Sequence, residues 1–194
     1  MKQIPLIAHR GGAGEGYENT ILAFRRAVDH GAGMLELDVH LSKDGETEDN
    51  NLRVLFYILG EVVVAHDLQL NRLAGVQQSI RDLNFHQLPC IQQTVSIDFC
   101  PGQKYSDSSV REEERNFSTL DTVLREFPST QINIDLKDRD DVLVEKVNQI
   151  IVENNAEGSL TEYFCSFPHN DFDFKFQTDV FGEISVQQQQ NCVT

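Results

Sequence analysis

The chain has 194 residues, which suits one domain, and its hydrophobic content of 40% allows a substantial core and excludes global disorder. Its formal net charge of -15 at pH 7 argues against nucleic acid and anionic membrane surfaces as partners, because both require basic patches. No stretch approaches the ~20 apolar residues of a membrane-spanning helix, so we expect no membrane span in this chain.

The four cysteines have neither a CxxC arrangement nor the spacing of metal ligands; they are Cys90, Cys100, Cys165 and Cys192. The first residues contain no apolar stretch typical of a secretory signal. We therefore predict free thiols, a reducing compartment and no signal peptide in this chain.

The first predicted unit is a strand, a glycine-rich loop and a helix. The apolar residues 4–8 predict a short buried strand, which leads into His9, Arg10 and several glycines. Glycine allows close backbone approach to a ligand, and α/β proteins build sites where strands end. Apolar residues at helical spacing follow from residue 21, with Asn19 or Thr20 as the cap.

A second strand is predicted within residues 33–44, where apolar and polar residues alternate. It completes a βαβ unit and favours a parallel sheet. Glu36 and Asp38 then point to the same side, roughly 7 Å apart along the strand. A divalent cation would relieve the repulsion between two such carboxylates, and oxygen ligands suit Mg²⁺ or Ca²⁺. The alternative is an ordinary half-exposed strand with a polar outer face.

Two further strands are predicted with polar residues at their ends. Residues 61–67 form a β-rich run that ends in His66 and Asp67, and residues 131–137 alternate so that Asp135 and Lys137 share a face. Between these strands, residues 94–114 are predicted to be a loop with a possible strand at Val95.

Two helices frame the second of these strands. The sequence predicts one helix that opens at residues 118–122 and stops at Pro128, and another over residues 142–153 with Asp141 as its cap.

Five motifs now stand in order: LIAHRGG, ENT, ELDVHLSKDG, VVVAHD and INIDLK. Together they resemble the glycerophosphodiester phosphodiesterase family, and most of all its vertebrate membrane-associated, lysophospholipase D-like subgroup. The resemblance covers residues 4 to about 165. It implies an α/β fold of the TIM-barrel type found in phospholipase C-like phosphodiesterases, with a divalent metal, Mg²⁺ or Ca²⁺, as cofactor.

The resemblance also implies a role for each motif residue. The residues implied as metal ligands are Glu36, Asp38 and Asp135, where Asp135 replaces the glutamate usual in the family. Arg10 and Lys137 are implied to bind the phosphate, and Glu18 supports the site. His9 and His66 are implied to be the catalytic acid and base in an order left open, with His66 as an alternative metal ligand.

The chain departs from the family pattern in two ways. Residues 46–60 interrupt it as an inserted segment, and a TIM barrel needs about 250 residues. We therefore predict a partial barrel domain over residues 1–165 that lacks the last two or three βα units, followed by a divergent tail over residues 166–194.

The predicted function is metal-dependent hydrolysis of a glycerophosphodiester or lysophospholipid, which releases an alcohol such as choline or ethanolamine. By resemblance the location is cytoplasmic or at endoplasmic reticulum membranes, while the oligomeric state stays open. The first alternative is an inactive truncated product or binding-only module. The second is another metal-dependent phosphoester hydrolase on the same fold.

Overall fold

The computed structural model describes residues 6–43, 60–138, 140–164, 172–178 and 184–190, with side chains described up to residue 159. Of the predicted insertion at 46–60, all but Gly60 lies outside these residues, as does much of the predicted tail. Within the described part, no helix has the length and apolar character that crossing a membrane would require. Cys90 and Cys100 are free thiols, as predicted.

The described elements are strands and α-helices, together with several short 3-10 helices. The strands are β1 (Ile7–Ala8), β2 (Met34–Leu41), β3 (Val62–Val64), β4 (Thr94–Ser96), β5 (Lys104–Ser106), β6 (Ser118–Thr119), β7 (Gln131–Leu136), β8 (Leu160–Phe164), β9 (Phe172–Thr178) and β10 (Ile184–Gln190). The α-helices are α1 (Ile21–Asp29), α2 (Asn71–Ala74), α3 (Leu120–Glu126) and α4 (Asp141–Glu153).

Side-chain caps fix where the longer helices begin. Thr20 accepts a hydrogen bond from the backbone N–H of Ala23, and Thr119 accepts one from Thr122, which satisfies donors that a first helical turn leaves free. Helix α4 is capped by Asp140, one residue before the predicted Asp141, because the Asp140 carboxylate accepts the N–H of Val142.

Among the described residues the main sheet has eight strands, and its parallel part follows the predicted pattern. Strand β1 pairs in parallel with β2, β2 with β7, and β7 with β8. The remaining pairs are antiparallel: β3 with β2, β6 with β3, and β9 with both β8 and β10. Parallel strands with helices between them are typical of a (β/α) barrel.

Strand β3 is antiparallel, although the pattern favoured a parallel sheet. It lies directly against the second half of β2, with Val39 opposite Val64 and Leu41 opposite Val62. The ends of the connecting segment are held together, since Ser42 N–H donates to the carbonyl of Glu61 at 3.0 Å. Strands β2 and β3 therefore run side by side in opposite directions, whereas neighbouring parallel strands require a crossover connection.

The main core lies between one face of this sheet and three helices. The alternating apolar residues of β2 and β7 form its centre, and all are buried: Leu35, Leu37, Val39, Ile132, Ile134 and Leu136. Helices α1, α3 and α4 pack on that side. The opposite face of the same strands therefore carries the polar residues Glu36, Asp38 and Asp135.

A second core supports the connection between β3 and β6. It is built from buried apolar residues that include Leu70, Ile80 and Ile91. This region contains the β4–β5 hairpin, whereas the sequence predicted a loop over residues 94–114. The turn of this hairpin, residues 97–103, lies close to the polar face of the main sheet, because Asp98 is hydrogen-bonded to Arg10.

Candidate active site

Three carboxylates come together on the polar face of β2 and β7. Asp38 and Asp135 are directly opposite in the strand register, and Glu36 lies two residues before Asp38. One oxygen from each of the three lies within 4.8 Å of the others. The residues implied as metal ligands are thus adjacent, and we refer to Glu36, Asp38 and Asp135 as the carboxylate cluster.

Lys137 inserts its ammonium group into the carboxylate cluster. Its Nζ lies 2.9 Å from Asp38 Oδ1 and 2.5 Å from Asp135 Oδ2. Burial acts to lower the pKa of Lys137, but the hydrogen bond to Asp135 and the charge of Asp38 outweigh it, so the pKa is raised. One lysine therefore faces three carboxylates.

The pKa of Glu36 indicates that the negative charge of the carboxylate cluster is not fully balanced by Lys137. Burial and the neighbouring charge of Asp38 raise the pKa of Glu36 to about 7, although its Oε2 accepts a hydrogen bond from the backbone N–H of Arg10 at 2.9 Å. Two amide oxygens close to the cluster, Asn19 Oδ1 and Asn133 Oδ1, are buried without a hydrogen bond among the described residues. An all-oxygen donor set with excess negative charge fits a hard divalent cation.

Arg10 is buried beneath the site and contacts several carboxylates. Its Nη1 donates to Glu18 Oε1 at 3.2 Å and Asp98 Oδ1 at 3.0 Å, and its Nε lies 3.5 Å from Asp38 Oδ2. Its φ of 52° lies in the left-handed region, which is uncommon for residues other than glycine and frequent at functional sites. Glu18 also accepts hydrogen bonds from Arg72, so it links two arginines.

Asn19, predicted only as a possible helix cap, contacts the carboxylate cluster. Its φ is 57°, and its Nδ2 donates to Asp38 Oδ2 at 2.9 Å. The asparagine of the ENT motif could have indicated this conformation, since asparagine adopts a left-handed backbone more readily than most residues. Asn19 therefore orients a candidate metal ligand.

His66 is held by its neighbour in the chain. Its Nδ1 lies 2.7 Å from Asp67 Oδ1, and Asp67 in turn accepts a hydrogen bond from Arg72 Nε at 2.6 Å. Burial acts to raise the pKa of Asp67, but His66 and Arg72 outweigh it and hold the pKa well below its usual range. His66, Asp67 and Asp98 form a second group whose ligand atoms lie within 4.8 Å, separate from the carboxylate cluster.

His9 lies at the open side of the site. Its side chain is 56% exposed, and its Nε2 is 4.0 Å from Glu36 Oε2. Burial of part of the ring and the charge of Arg10 lower the pKa of His9. Its ring packs edge-on against Phe99, with 5.6 Å between the ring centroids.

Three residues that contact the site or support it were not assigned a role from the sequence. His40 connects β2 to the His66 backbone, because its Nε2 is 3.0 Å from the His66 carbonyl and its Nδ1 is 2.8 Å from Asp138. Its position on the polar face of β2, in line with Glu36 and Asp38, could have indicated that it lies near the site. Asp98 and Phe99 had no such signal, since they reach the site only through the β4–β5 turn.

The fold and the carboxylate cluster define an α/β protein of the barrel class with a candidate metal site on the polar face of its parallel strands. The chain belongs to the glycerophosphoryl diester phosphodiesterase family, whose model matches residues 9–47 and 60–163. It is 36% identical to human lysophospholipase D GDPD1 over 156 residues, which is 78% of this chain and 42% of that protein.

Solved structures show the same fold. The glycerophosphoryl diester phosphodiesterase domain from Mycobacterium tuberculosis superposes with a TM-score of 0.61 over 86% of this chain and 54% of that one, at 22% identity. An Oleispira antarctica phosphodiesterase superposes with a TM-score of 0.55 over 78% of this chain and 53% of that one, at 21% identity. The predicted partial TIM barrel is confirmed, and the chain spans about half the length of the relatives it matches.

Proposed function

We propose that this chain is a metal-dependent phosphodiester hydrolase. The observation that carries the proposal is the carboxylate cluster with Lys137 inside it and two histidines, His9 and His66, close by. This combination supplies the two requirements of phosphodiester hydrolysis, positive charge for the phosphoryl oxygens and groups that move protons.

The proposed substrates are glycerophosphodiesters and lysophospholipids, and the proposed products are glycerol phosphate or lysophosphatidic acid and an alcohol such as choline or ethanolamine. The human relative bears the name lysophospholipase D, and the Oleispira antarctica phosphodiesterase was solved with the product sn-glycerol-3-phosphate. Because this chain belongs to the same family, we propose the same reaction for it, which is hydrolysis of a glycerol-linked phosphodiester.

Glu36, Asp38 and Asp135 would hold one divalent cation, Mg²⁺ or Ca²⁺. When bound, such an ion polarises a phosphoryl oxygen and offsets the charge of the phosphodiester. Lys137 adds a positive charge at the same place and keeps two of the ligands in position. Arg10 is mainly a positioning residue here, because its guanidinium already contacts Glu18 and Asp98. To bind a phosphate, Arg10 would have to give up its contact with Asp98.

The two histidines have different surroundings, which suggests their roles. Asp67 faces His66 Nδ1, so it orients the ring, leaves Nε2 for the substrate and stabilises the imidazolium. We therefore assign proton donation to the leaving alcohol to His66. His9 lies 4.0 Å from its nearest carboxylate, beyond hydrogen-bonding distance, and takes the proton from the nucleophile, either water or a hydroxyl of the substrate.

The proposal is tested by choline release from glycerophosphocholine and lysophosphatidylcholine, in Mg²⁺, in Ca²⁺ and in chelator. The test variant is Asp38→Asn, and the control is Glu113→Gln, a carboxylate with 61% exposure that pairs with Arg111. We expect metal-dependent release that Asp38→Asn lowers by at least ~100-fold and that Glu113→Gln leaves unchanged.

Two outcomes would contradict the proposal. A protein that unfolds cooperatively but releases no alcohol in either metal points to the inactive or binding-only alternative. Release of phosphate from glycerol phosphate in preference to choline from the diesters points to another phosphoester hydrolase.

A further inference from the structure

His40 is a buried histidine on the polar face of β2 that has no part in the proposed reaction. Its side chain is only 3% exposed. It follows Glu36 and Asp38 at intervals of two residues, so strand alternation places all three on the same side of the sheet. Its Nδ1 lies 2.8 Å from Asp138 Oδ2, and its Nε2 lies 3.0 Å from the carbonyl oxygen of His66. The ring therefore joins two segments that follow different strands.

Asp138 holds one side of the His40 ring. It lies two residues after the end of β7, and its Oδ2 is also 3.3 Å from Arg81 Nη2. Burial acts to raise the pKa of Asp138, but the hydrogen bond to His40 and the charge of Arg81 outweigh it, so the pKa is lowered. An ionised carboxylate only accepts hydrogen bonds, so His40 Nδ1 donates to it.

The other side of the ring reaches the peptide group that joins His66 to Asp67. Strand β3 ends at Val64, so this peptide group lies beyond the paired part of the strand. Its orientation sets the direction of two side chains, the His66 ring and the Asp67 carboxylate that faces His66 Nδ1 at 2.7 Å. Arg72 holds the Asp67 side chain at 2.6 Å, whereas His40 holds the backbone between the two residues.

We infer that His40 is a positioning residue for His66, and that its Nε2 holds the His66–Asp67 peptide group in the orientation that presents the His66 ring to the leaving alcohol. The inference rests on the proposed function, in which His66 is the proton donor. Because β2 carries His40 together with Glu36 and Asp38, one strand sets the distance between the proton donor and the candidate metal site. A misplacement of ~1 Å between such groups can cost ~100-fold in rate.

Two amide variants separate the two contacts of His40. The amide nitrogen of asparagine reaches about as far as histidine Nδ1, and that of glutamine about as far as Nε2. His40→Asn therefore keeps the contact with Asp138 and loses the one with the His66 carbonyl, whereas His40→Gln keeps the latter. We expect His40→Asn to lower kcat for choline release from glycerophosphocholine by at least ~10-fold with little change in KM, and His40→Gln to retain most of the activity.

A second substrate distinguishes positioning of the proton donor from general damage. The p-nitrophenolate leaving group needs no proton, so on a p-nitrophenyl phosphodiester both variants should stay within about threefold of the unmodified protein. His86→Asn, which changes an exposed histidine, is the control and should alter neither activity. Equal losses on the two substrates, or loss of choline release in a His40→Gln protein that still unfolds cooperatively, would overturn the inference.

Histidine side-chain NMR in chelator gives a reading that does not depend on turnover. The signal of the His66 Nδ1 proton, assigned by its loss in His66→Ala, should be lost in His40→Asn and retained in His40→Gln, because only the latter holds the peptide group beside Asp67. This pattern in a protein that releases no alcohol contradicts the proposed function alone. Alcohol release together with an unchanged His66 signal in His40→Asn contradicts the inference alone.

Discussion

At the scale of single residues, Asp67 allows the charge beside His66 to be removed while the size of the side chain is kept. Asp67→Asn keeps the size of the side chain but loses the charge that faces His66 and Arg72. We expect kcat for choline release to fall by at least ~10-fold with a smaller change in KM, because the imidazolium of His66 is less stable. Asp29→Asn, an exposed carboxylate at the end of α1, is the control.

The role of His66 as proton donor leads to a second prediction. A good leaving group such as p-nitrophenolate needs no proton, so His66→Ala should lose much less activity on a p-nitrophenyl phosphodiester than on glycerophosphocholine. His9→Ala should lose similar activity on both. If the two variants show the opposite pattern, the assignment of donor and acceptor is reversed.

Arg10 and Arg25 provide a comparison between a buried and an exposed ion pair. The side chains of Arg10 and Glu18 are 6% and 5% exposed, whereas those of Arg25 and Glu126 are 55% and 37% exposed. Arg10→Met should lower the free energy of unfolding by about 3 kcal/mol, because it removes a buried positive charge from the buried carboxylates of Glu18 and Asp38. Arg25→Met should lower it by less than about 1 kcal/mol. Urea unfolding in chelator measures both, and equal losses would contradict the assigned role of Arg10.

The sequence predicted some of these residues and missed others for a physical reason. Glu36, Asp38, Asp135 and Lys137 follow from period-two alternation, which fixes the direction of side chains along a strand. Asp98 reaches Arg10 across a gap of 88 residues through a turn outside the main sheet. Such a contact depends on tertiary packing, so the local sequence pattern does not predict it.

At the scale of elements, the close approach of the β1 exit to helix α1 positions His9 and Arg10. A Cβ at Gly11 would lie 2.8 Å from Phe24 Cδ1, and Gly11 has a φ of +76°. At Gly31, where φ is +87°, a Cβ would meet nothing within 4 Å. Gly31→Ala should therefore cost only the backbone strain of about 1 kcal/mol, and Gly11→Ala should cost more because the buried Phe24 must also move. Thermal unfolding tests the order, and equal losses would contradict the close approach.

Alternation and capping signals predicted β2, β7 and the starts of the main helices to within about three residues. They could not predict that β3 is antiparallel, since strand direction depends on the connection between β2 and β3 rather than on either strand. Strands β4 and β5 have three residues each, too few for a period to be recognised. The predicted insertion at 46–60, the roles of the site residues and the predicted cellular location stay predictions.

At the scale of the whole molecule, the raised pKa of Glu36 makes the stability of the metal-free protein depend on pH. Between the ordinary pKa of 4.5 and the value of about 7 in the folded protein, the folded state binds more protons than the unfolded state. The free energy of unfolding should therefore fall as pH rises through this interval, by up to about 3 kcal/mol from this group.

Glu36→Gln isolates the contribution of this group from those of the histidines. The difference in unfolding free energy between the variant and the unmodified protein, measured in chelator, should increase in favour of the variant from pH 4.5 to about 7 and then stay constant. A difference that does not change with pH would mean that the carboxylate cluster is electrostatically balanced without an ion.

The most direct measurement is titration calorimetry of Mg²⁺ and Ca²⁺ binding at pH 6 and pH 8.5, in buffers of different ionisation enthalpy. We predict one ion per chain, with close to one proton released at pH 6 and almost none at pH 8.5, because Glu36 must lose its proton to act as a ligand. Asp38→Asn should weaken binding by at least ~10-fold, while Asp29→Asn should not change it. Binding that survives Asp38→Asn but is lost in Asp67→Asn, or no binding at all by the folded protein, would contradict the assignment of the carboxylate cluster as the metal site.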